Sequence, residues 1–338
     1  MAVTTRLGGV SSVLAGARAV TAVAPAKINL HLGVGDLRAD GYHDLLTVYR
    51  AVDLWEEVTV EVVETGGGDD DVTVTVSGPG AGQVPADRTN LAARAVDLLR
   101  DEAGSDARIA IGIRKGVPVA GGMAGGSADA AAALVATDRL LGLGLGRAAL
   151  EERAARLGSD VPFCVRGGTA LGTGRGEKLA TLLHARVEQH IVVALADGGL
   201  STPVVFAELD RLRAERAELT RAGRTEALVQ ALAEPDPSAV ARLLANDMEP
   251  AALSLMPALR RTLRAGEEAG ALRGMVSGSG PTCLFFCSDR EHAISVAAEL
   301  SESGVAREVR MTSGPVGGAH IIDGPGSGPA AVHRAQGK

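Results

Sequence analysis

The sequence predicts an α+β protein of two domains. Three observations carry this: the order of strand-like and helical runs, a fresh strand opening near residue 187 after two short strands, and a length of 338 residues, enough for two ordinary domains with a substantial core. The predicted layout is a loose N-terminal extension over residues 1–20, a first domain over 21–185, a second over 186–313, and a flexible tail rich in Gly, Pro and Ser over 314–338.

Residues 21–35, "TAVAPAKINLHLGVG", alternate so that Ala26, Ile28, Leu30 and Leu32 share one face of a strand while Lys27, Asn29 and His31 share the other. After the turn "RADGYHD" come strand-like runs at 45–64 and 72–77, a helix over 90–102, and a strand in "ARIAIGIRKG". A helix then covers 127–141, and another covers 147–157 with Gly158 as a left-handed cap. Beyond the loop "GSDVPF", the segment "CVRGGTALGTGRGEKLATL" reads as two short strands around a glycine turn. The second domain opens with "EQHIVVALA", continues with helical patterns over 203–233, 237–247 and 255–269, and closes with strand, turn and strand in "GMVSGSGPTCLFF", a helix at 290–303 and a strand at 306–312.

Aromatic residues supply 2% of the chain, so Ala, Val, Leu and Ile must build the core, and an aromatic in a polar turn needs a reason. A net charge of −7 argues against general affinity for nucleic acid or anionic lipid, which are held by clustered Lys and Arg. No run of apolar residues is long enough for a membrane span, and residues 1–20 lack a clean signal-peptide pattern, which predicts a cytoplasmic protein. Cys164, Cys283 and Cys287 have no CxxC spacing and read as reduced core residues rather than metal ligands.

"VPVAGGMAGGSADAAAAL", residues 117–134, places four glycines in six positions directly before a helix. Each glycine costs roughly 0.5–1 kcal/mol of order relative to alanine, but lets backbone N–H groups approach a ligand. The helix that follows adds unpaired N–H groups and the positive end of its dipole, and together these suit a polyphosphate. The spacing matches neither the Walker loop nor GxGxxG. A plain glycine-rich turn that lets a helix pack tightly is the other reading.

"PVAGGMAGGSADAA" resembles the phosphate-binding motif of the GHMP kinase superfamily, Pro, three residues, then Gly-Leu-Gly-Ser-Ser-Ala-Ala. Met123 stands at the Leu position, Ala124 replaces a glycine, and Ala128 replaces the second serine, a hydroxyl that in some relatives helps place Mg²⁺. Ser127 is the hydroxyl left in the loop. "PAKINLHLGVGDLRADGYHDLLTVYRAVDLWEEV", "LGSDVPFCVRGGTALGTGRGE" and "VSGSGPTCLFF" resemble three blocks of one family within that superfamily, the 4-diphosphocytidyl-2-C-methyl-D-erythritol kinases of the non-mevalonate isoprenoid pathway.

The resemblance implies an N-terminal domain like the second domain of ribosomal protein S5, a ferredoxin-like C-terminal domain, and an active site between them. It further implies ATP as phosphoryl donor with nucleotide-bound Mg²⁺, no metal held by the protein alone, the 2-hydroxyl of 4-diphosphocytidyl-2-C-methyl-D-erythritol as acceptor, and a monomer or weak homodimer. By the same resemblance, Asp160 is the general base and Lys27 offsets charge on that carboxylate and on the transferred group. Read alone, they are a capping carboxylate and a solvated strand lysine. Asn29, Tyr42, His43, Thr202 and Phe206 would bind the substrate, Tyr42 and His43 by stacking on its base with Phe206 as a further aromatic. A hairpin cap and a core residue are the bland readings of Tyr42 and Phe206. Asn90 and Lys115 would lie at the adenine pocket, or else serve as an N-cap and a surface lysine. Val119, Ala120, Gly121, Gly122, Met123, Ala124, Gly125, Gly126 and Ser127 would hold the phosphates, with "GSGPT" over 278–282 nearby. The rivals are another GHMP kinase acting on homoserine, mevalonate or a sugar, and a non-catalytic RNA-binding module.

Overall fold

The computed structural model describes residues 19–63, 72–119, 121–185, 187–216, 219 and 221–322. In chain order the elements are β1 (Ala19–Leu37), β2 (His43–Val62), β3 (Val72–Ser77), α1 (Leu91–Ala103), β4 (Ile109–Arg114), α2 (Gly125–Leu141), α3 (Arg147–Leu157), α4 (Val161–Arg166), β5 (Thr169–Thr173) and β6 (Lys178–Thr181). The second half holds β7 (Gln189–Leu195), α5 (Thr202–Glu215), α6 (Glu226–Ala233), α7 (Pro237–Arg242), β8 (Ala245–Asn246), α8 (Glu249–Leu255), α9 (Leu259–Glu268), β9 (Arg273–Val276), β10 (Cys283–Cys287), α10 (Arg290–Ser303), β11 (Glu308–Gly314) and β12 (His320–Ile322).

The first sheet runs β12-β1-β2-β4-β3, with β5 and β6 continuing from the near end of β2 and β8 lying parallel to β1. The second sheet runs β11-β7-β10-β9 with every neighbour antiparallel. Helices connect β7 to β9 and β10 to β11, which is the ferredoxin-like winding expected from the resemblance.

The side chains of β1 and β2 divide into two cores along the length of the strands, on either side of the register shift between Pro25 and Ala26. Val20, Ala22, Ala24, Val58 and Val60 meet α1 and α2. Ala26, Ile28, Leu30, Val48 and Val52 meet Ile191, Val193, Leu284 and Phe286 of the second sheet, so one apolar layer joins the two domains. The other face of β10 sends Cys283, Phe285 and Cys287 into a third core beneath α9 and α10, which makes these cysteines core residues. Burial holds both thiols up at about 12, far from thiolate chemistry. In α2, Ala128, Ala130–Ala133, Leu134 and Ala136 are all buried. A helix apolar around its whole girth belongs inside, and its methyl side chains let α1 and the first sheet approach closely.

Several expectations change. Gly158 is extended at φ 176 rather than left-handed. The segment after Asp160 coils into α4, started by Pro162 near its N-terminus. The long helical pattern over 203–233 divides into α5 and α6, that over 237–247 shortens to α7 and gives way to β8, and that over 255–269 is α9, with α8 an additional helix before it. Residues 19–20 belong to β1, so the described part of the predicted extension is strand; residues 1–18 and 323–338 lie outside the described residues.

The predicted tail also begins too early. Residues 314–322 return to the first domain, where Gly317 bridges Gly167 and β12 pairs with the start of β1 through Thr21 and Ile322. Glycine here serves close approach rather than flexibility: a Cβ on Gly318 would lie 2.2 Å from the Val165 carbonyl oxygen.

Candidate active site

β1 carries Lys27 and Asn29 into a cleft of about 440 Å³. The backbone N–H of Lys27 donates to the Met123 carbonyl at 3.2 Å, so the strand is fastened directly to the glycine stretch. Lys27 Nζ donates to Asn29 Oδ1 at 2.8 Å, and Asn29 Nδ2 donates to Thr47 Oγ1 at 2.7 Å. Asp160 occupies the cap position of α4 but its carboxylate caps nothing. Instead, Oδ1 accepts from the Tyr49 hydroxyl at 3.0 Å and Oδ2 lies 3.7 Å from Lys27 Nζ. Tyr49 is buried and stacked on Phe163 with centroids 4.9 Å apart. Burial, reinforced by Asp160, raises its pKa well above the usual tyrosine value, so it remains a phenol and a donor.

His31 does not join them. Pairing of β1 with β2 shifts register between Asn29 and His31, and the extra residue is Leu30. Simple alternation could not foresee this bulge. His31 is buried away from the cleft, its Nε2 has no hydrogen-bond partner among the described residues, and burial lowers its pKa despite the opposing Asp247 carboxylate.

The glycine stretch forms the opposite wall. Val119, Gly121, Gly122, Ala124, Gly125 and Gly126 all line the cleft, while Ala120 lies outside the described residues. α2 starts at Gly125 with no side-chain cap, leaving its first N–H groups without intrahelical partners. Gly122 has φ +73, and a Cβ there would fall 2.1 Å from the Ser277 carbonyl oxygen. Ala124 sits at φ 60, the one non-glycine residue with positive φ among those described. Met123 is buried beneath the loop and Ser127 does not line the cleft. Gly278, Ser279 and Gly280 close the far side, held by Asn246, whose amide donates to the Gly278 carbonyl at 2.8 Å.

Toward the side lined by Gln83, Val84 and Pro85, Asn90 is an N-cap: its Oδ1 accepts from Ala92 N at 2.8 Å, and its Nδ2 holds the Pro85 carbonyl at 2.7 Å. It shapes the wall without lining it. Lys115 lines the cleft and is no surface lysine. Its Nζ lies 2.6 Å from both Glu56 Oε1 and Asp129 Oδ2, all three buried. Two acids share one base. Burial and then Asp129 push Glu56 up to about 8, against the pull of Lys115. Burial likewise raises Asp129, with Lys115 opposing. Burial works to lower Lys115, but Asp129 and Glu56 outweigh it and the net shift is upward.

A second lobe of about 710 Å³ adjoins the first, sharing Leu45, Ser159, Arg175, Thr202 and Phe206 with it. Tyr42 lies there 53% exposed. His43 stacks on Phe206 at 4.9 Å and 10°, and its Nε2 lies 3.0 Å from Asp210 Oδ1. Thr202 meets Ser279 across the junction, Oγ to Oγ, at 3.0 Å.

Tyr49, Glu56, Asp129, Arg175 and Asp210 were not legible as site residues. Signals existed for three of them: a tyrosine in a chain poor in aromatics, a lone acid inside the alanine run of α2, and an arginine between glycines. What pairs them is contact across 14 to 167 residues of sequence.

The sequence matches the family described as GHMP kinases N terminal domain over residues 90–168 and GHMP kinases C terminal over 228–306. It is 58% identical over 300 residues to a 4-diphosphocytidyl-2-C-methyl-D-erythritol kinase of Nocardia farcinica, covering 89% of this chain and 95% of that one. It is 53% identical over 326 residues to the enzyme of that name from Mycolicibacterium smegmatis, covering 96% and 99%. A crystal structure of 4-(cytidine 5'-diphospho)-2C-methyl-D-erythritol kinase superposes with TM-score 0.68 at 29% identity, covering 88% of this chain and all of that one. The chain belongs to the 4-diphosphocytidyl-2-C-methyl-D-erythritol kinases, a family of the GHMP kinases.

Proposed function

We propose that the chain transfers the γ-phosphoryl group of ATP to the 2-hydroxyl of 4-diphosphocytidyl-2-C-methyl-D-erythritol, a step of the non-mevalonate isoprenoid pathway. The observation that carries this reading is Asp160, held between Lys27 and Tyr49 in the glycine-lined lobe, next to Ser159, which lines both that lobe and the aromatic one. The first lobe suits a nucleoside triphosphate, since amides at the start of α2 attract phosphate without a basic surface. The second suits a flat base, through Tyr42, His43 and Phe206.

In the proposed reaction the acceptor hydroxyl gives its proton to Asp160 as its oxygen bonds to phosphorus and the bond to the ADP oxygen breaks. Lys27 offsets negative charge beside the transferred group, and Asn29 orients Lys27. Tyr49 fixes the carboxylate rather than acting as a base, because its pKa is raised. Positioning and charge are most of what phosphoryl transfer asks of a protein. Every group named comes from a single chain, so a monomer suffices.

Magnesium enters with the nucleotide. Among the described residues no group of three or more His, Cys, Asp or Glu is arranged to hold a metal, and the acids nearest the loop, Glu56 and Asp129, are committed to Lys115. When bound, Mg²⁺ would neutralise phosphate charge, held by the nucleotide's own oxygens. Among the described residues no helix is long and apolar enough to cross a membrane, and the small phosphorylated substrates proposed here belong to the cytoplasm.

Homoserine or mevalonate as acceptor would leave the aromatic lobe unused. The test is incubation with Mg-ATP and the cytidyl substrate followed by ³¹P NMR: a new phosphomonoester signal is expected, with homoserine and mevalonate giving none. Absence of that signal with the cytidyl substrate overturns the proposal.

A further inference from the structure

Three cations line the glycine-side lobe: Lys27, Lys115 and Arg175. Lys27 faces Asp160, and Lys115 is shared by Glu56 and Asp129. Arg175 differs. Its guanidinium lies over the Tyr42 ring at 5.0 Å, and no carboxylate stands within ion-pair distance of it among the described residues. It also lines both lobes, which no other cation does. The cation of the aromatic lobe alone, Arg156, is paired with Glu102.

The turn that carries Arg175 is fixed from three sides. Glu177 accepts from the Arg175 backbone N–H at 2.7 Å, and Leu45 N–H donates to the Gly174 carbonyl at 2.7 Å. Gly176 backs onto the Tyr49 hydroxyl so closely that a Cβ would meet it at 2.2 Å. The backbone at Arg175 therefore abuts the same tyrosine that holds Asp160, while its side chain is exposed and lies on the face of Tyr42.

From this geometry, and resting on the function proposed above, we infer that Arg175 binds the diphosphate of the acceptor. With the base among Tyr42, His43 and Phe206 and the reacting hydroxyl at Asp160, the linking diphosphate must cross the junction between the lobes. There it meets Arg175, which no carboxylate pairs with among the described residues. The planar guanidinium presents paired N–H donors that match phosphate oxygens, which a lysine ammonium does less well. Lying on Tyr42, it is already beside the base-binding ring. Arg175 thus selects acceptors in which base and alcohol are joined by a diphosphate.

The experiment compares binding of CDP and of cytidine to the whole chain and to Arg175→Gln and Arg175→Lys by calorimetry, alongside steady-state kinetics. In the unaltered protein CDP is expected to bind more tightly than cytidine, and equal binding of the two overturns the inference. Arg175→Gln is expected to remove most of that advantage, weakening CDP about tenfold or more while cytidine changes little, with Arg175→Lys intermediate. The loss in kcat/KM for the cytidyl substrate should reside in its KM, with the KM for ATP unmoved. If Arg175 only propped Tyr42, CDP and cytidine would weaken together, and that result overturns the inference. An unchanged CDP-to-cytidine ratio overturns it as well, while leaving the proposed reaction standing wherever the unaltered chain makes the phosphomonoester. Failure of the unaltered chain to make it sinks the proposed function instead.

Discussion

Tyr49 and Asp160, 111 residues apart, are joined by a 3.0 Å hydrogen bond in which a buried phenol donates to a carboxylate that is 28% exposed. Tyr49 is buried and stacked on Phe163, and its raised pKa keeps it a phenol that donates to Asp160. Tyr49→Phe keeps the stack and removes only the donor. It should lower kcat about tenfold at little cost in stability, since one hydrogen bond contributes about 1 kcal/mol. Stopped assays and thermal unfolding check this, and unchanged kcat would remove Tyr49 from the site.

Lys27→Met and Asp160→Asn should each reduce turnover by about a thousandfold or more, the scale of lost base and charge stabilisation. Their melting temperatures should stay near that of the unaltered chain, because the Lys27–Asp160 pair spans 3.7 Å and Asp160 is 28% exposed at the cleft. Single-turnover rates with saturating Mg-ATP measure it; turnover retained in either variant excludes that residue from the chemistry.

Tyr42→Ala should weaken the acceptor and spare ATP. Stacking contributes about 1–3 kcal/mol per base, so the acceptor KM should rise roughly tenfold or more while the KM for ATP holds. Equal rises in both constants would instead mark a general disturbance of the cleft.

Ala124 adopts a left-handed conformation that costs an L-residue about 1–2 kcal/mol. Ala124→Gly should relieve that strain and raise stability by up to about 1 kcal/mol, part of the gain being offset by glycine's freedom in the unfolded chain. Gly122→Ala should do the reverse by about 3 kcal/mol, combining positive φ with the clash against Ser277. Urea unfolding of both variants compares the two effects directly, and a destabilised Ala124→Gly would refute the strain.

Glu56 makes stability depend on pH. Its folded pKa is raised from 4.5 to about 8, so its contribution is complete below pH 4.5 and is lost as pH rises toward 8, where the unfolded chain ionises freely and the folded one resists. Glu56→Gln mimics the protonated acid. Relative to the unaltered chain it should gain at least about 1 kcal/mol between pH 5 and pH 8, one pKa unit corresponding to about 1.4 kcal/mol. Urea titrations at the two pH values give the difference, and a gain by the unaltered chain instead would reverse the sign of the shift.

The sequence by itself determined the elements whose signal is local. Alternation from Ala26 to Leu32 marked β1, the alanine run marked α2, and the glycines before it marked a wall of backbone amides. Lys27, Asn29 and Asp160 were legible through motif resemblance, and the structure brings them together. What no local pattern encodes was decided by tertiary structure. The bulge at Leu30 separates His31 from Lys27 because register depends on the partner strand. Within residues 314–322, flexible by composition, His320–Ile322 are drawn into strand by the edge of β1 at Thr21–Val23. Lys115 lies between Glu56 and Asp129, and Arg175 over Tyr42, because folding buries the lysine with two acids and brings no acid among the described residues into ion-pair distance of the arginine. Side-chain chemistry is written in the chain, but which charges are desolvated and which remain free is a property of packing between distant segments.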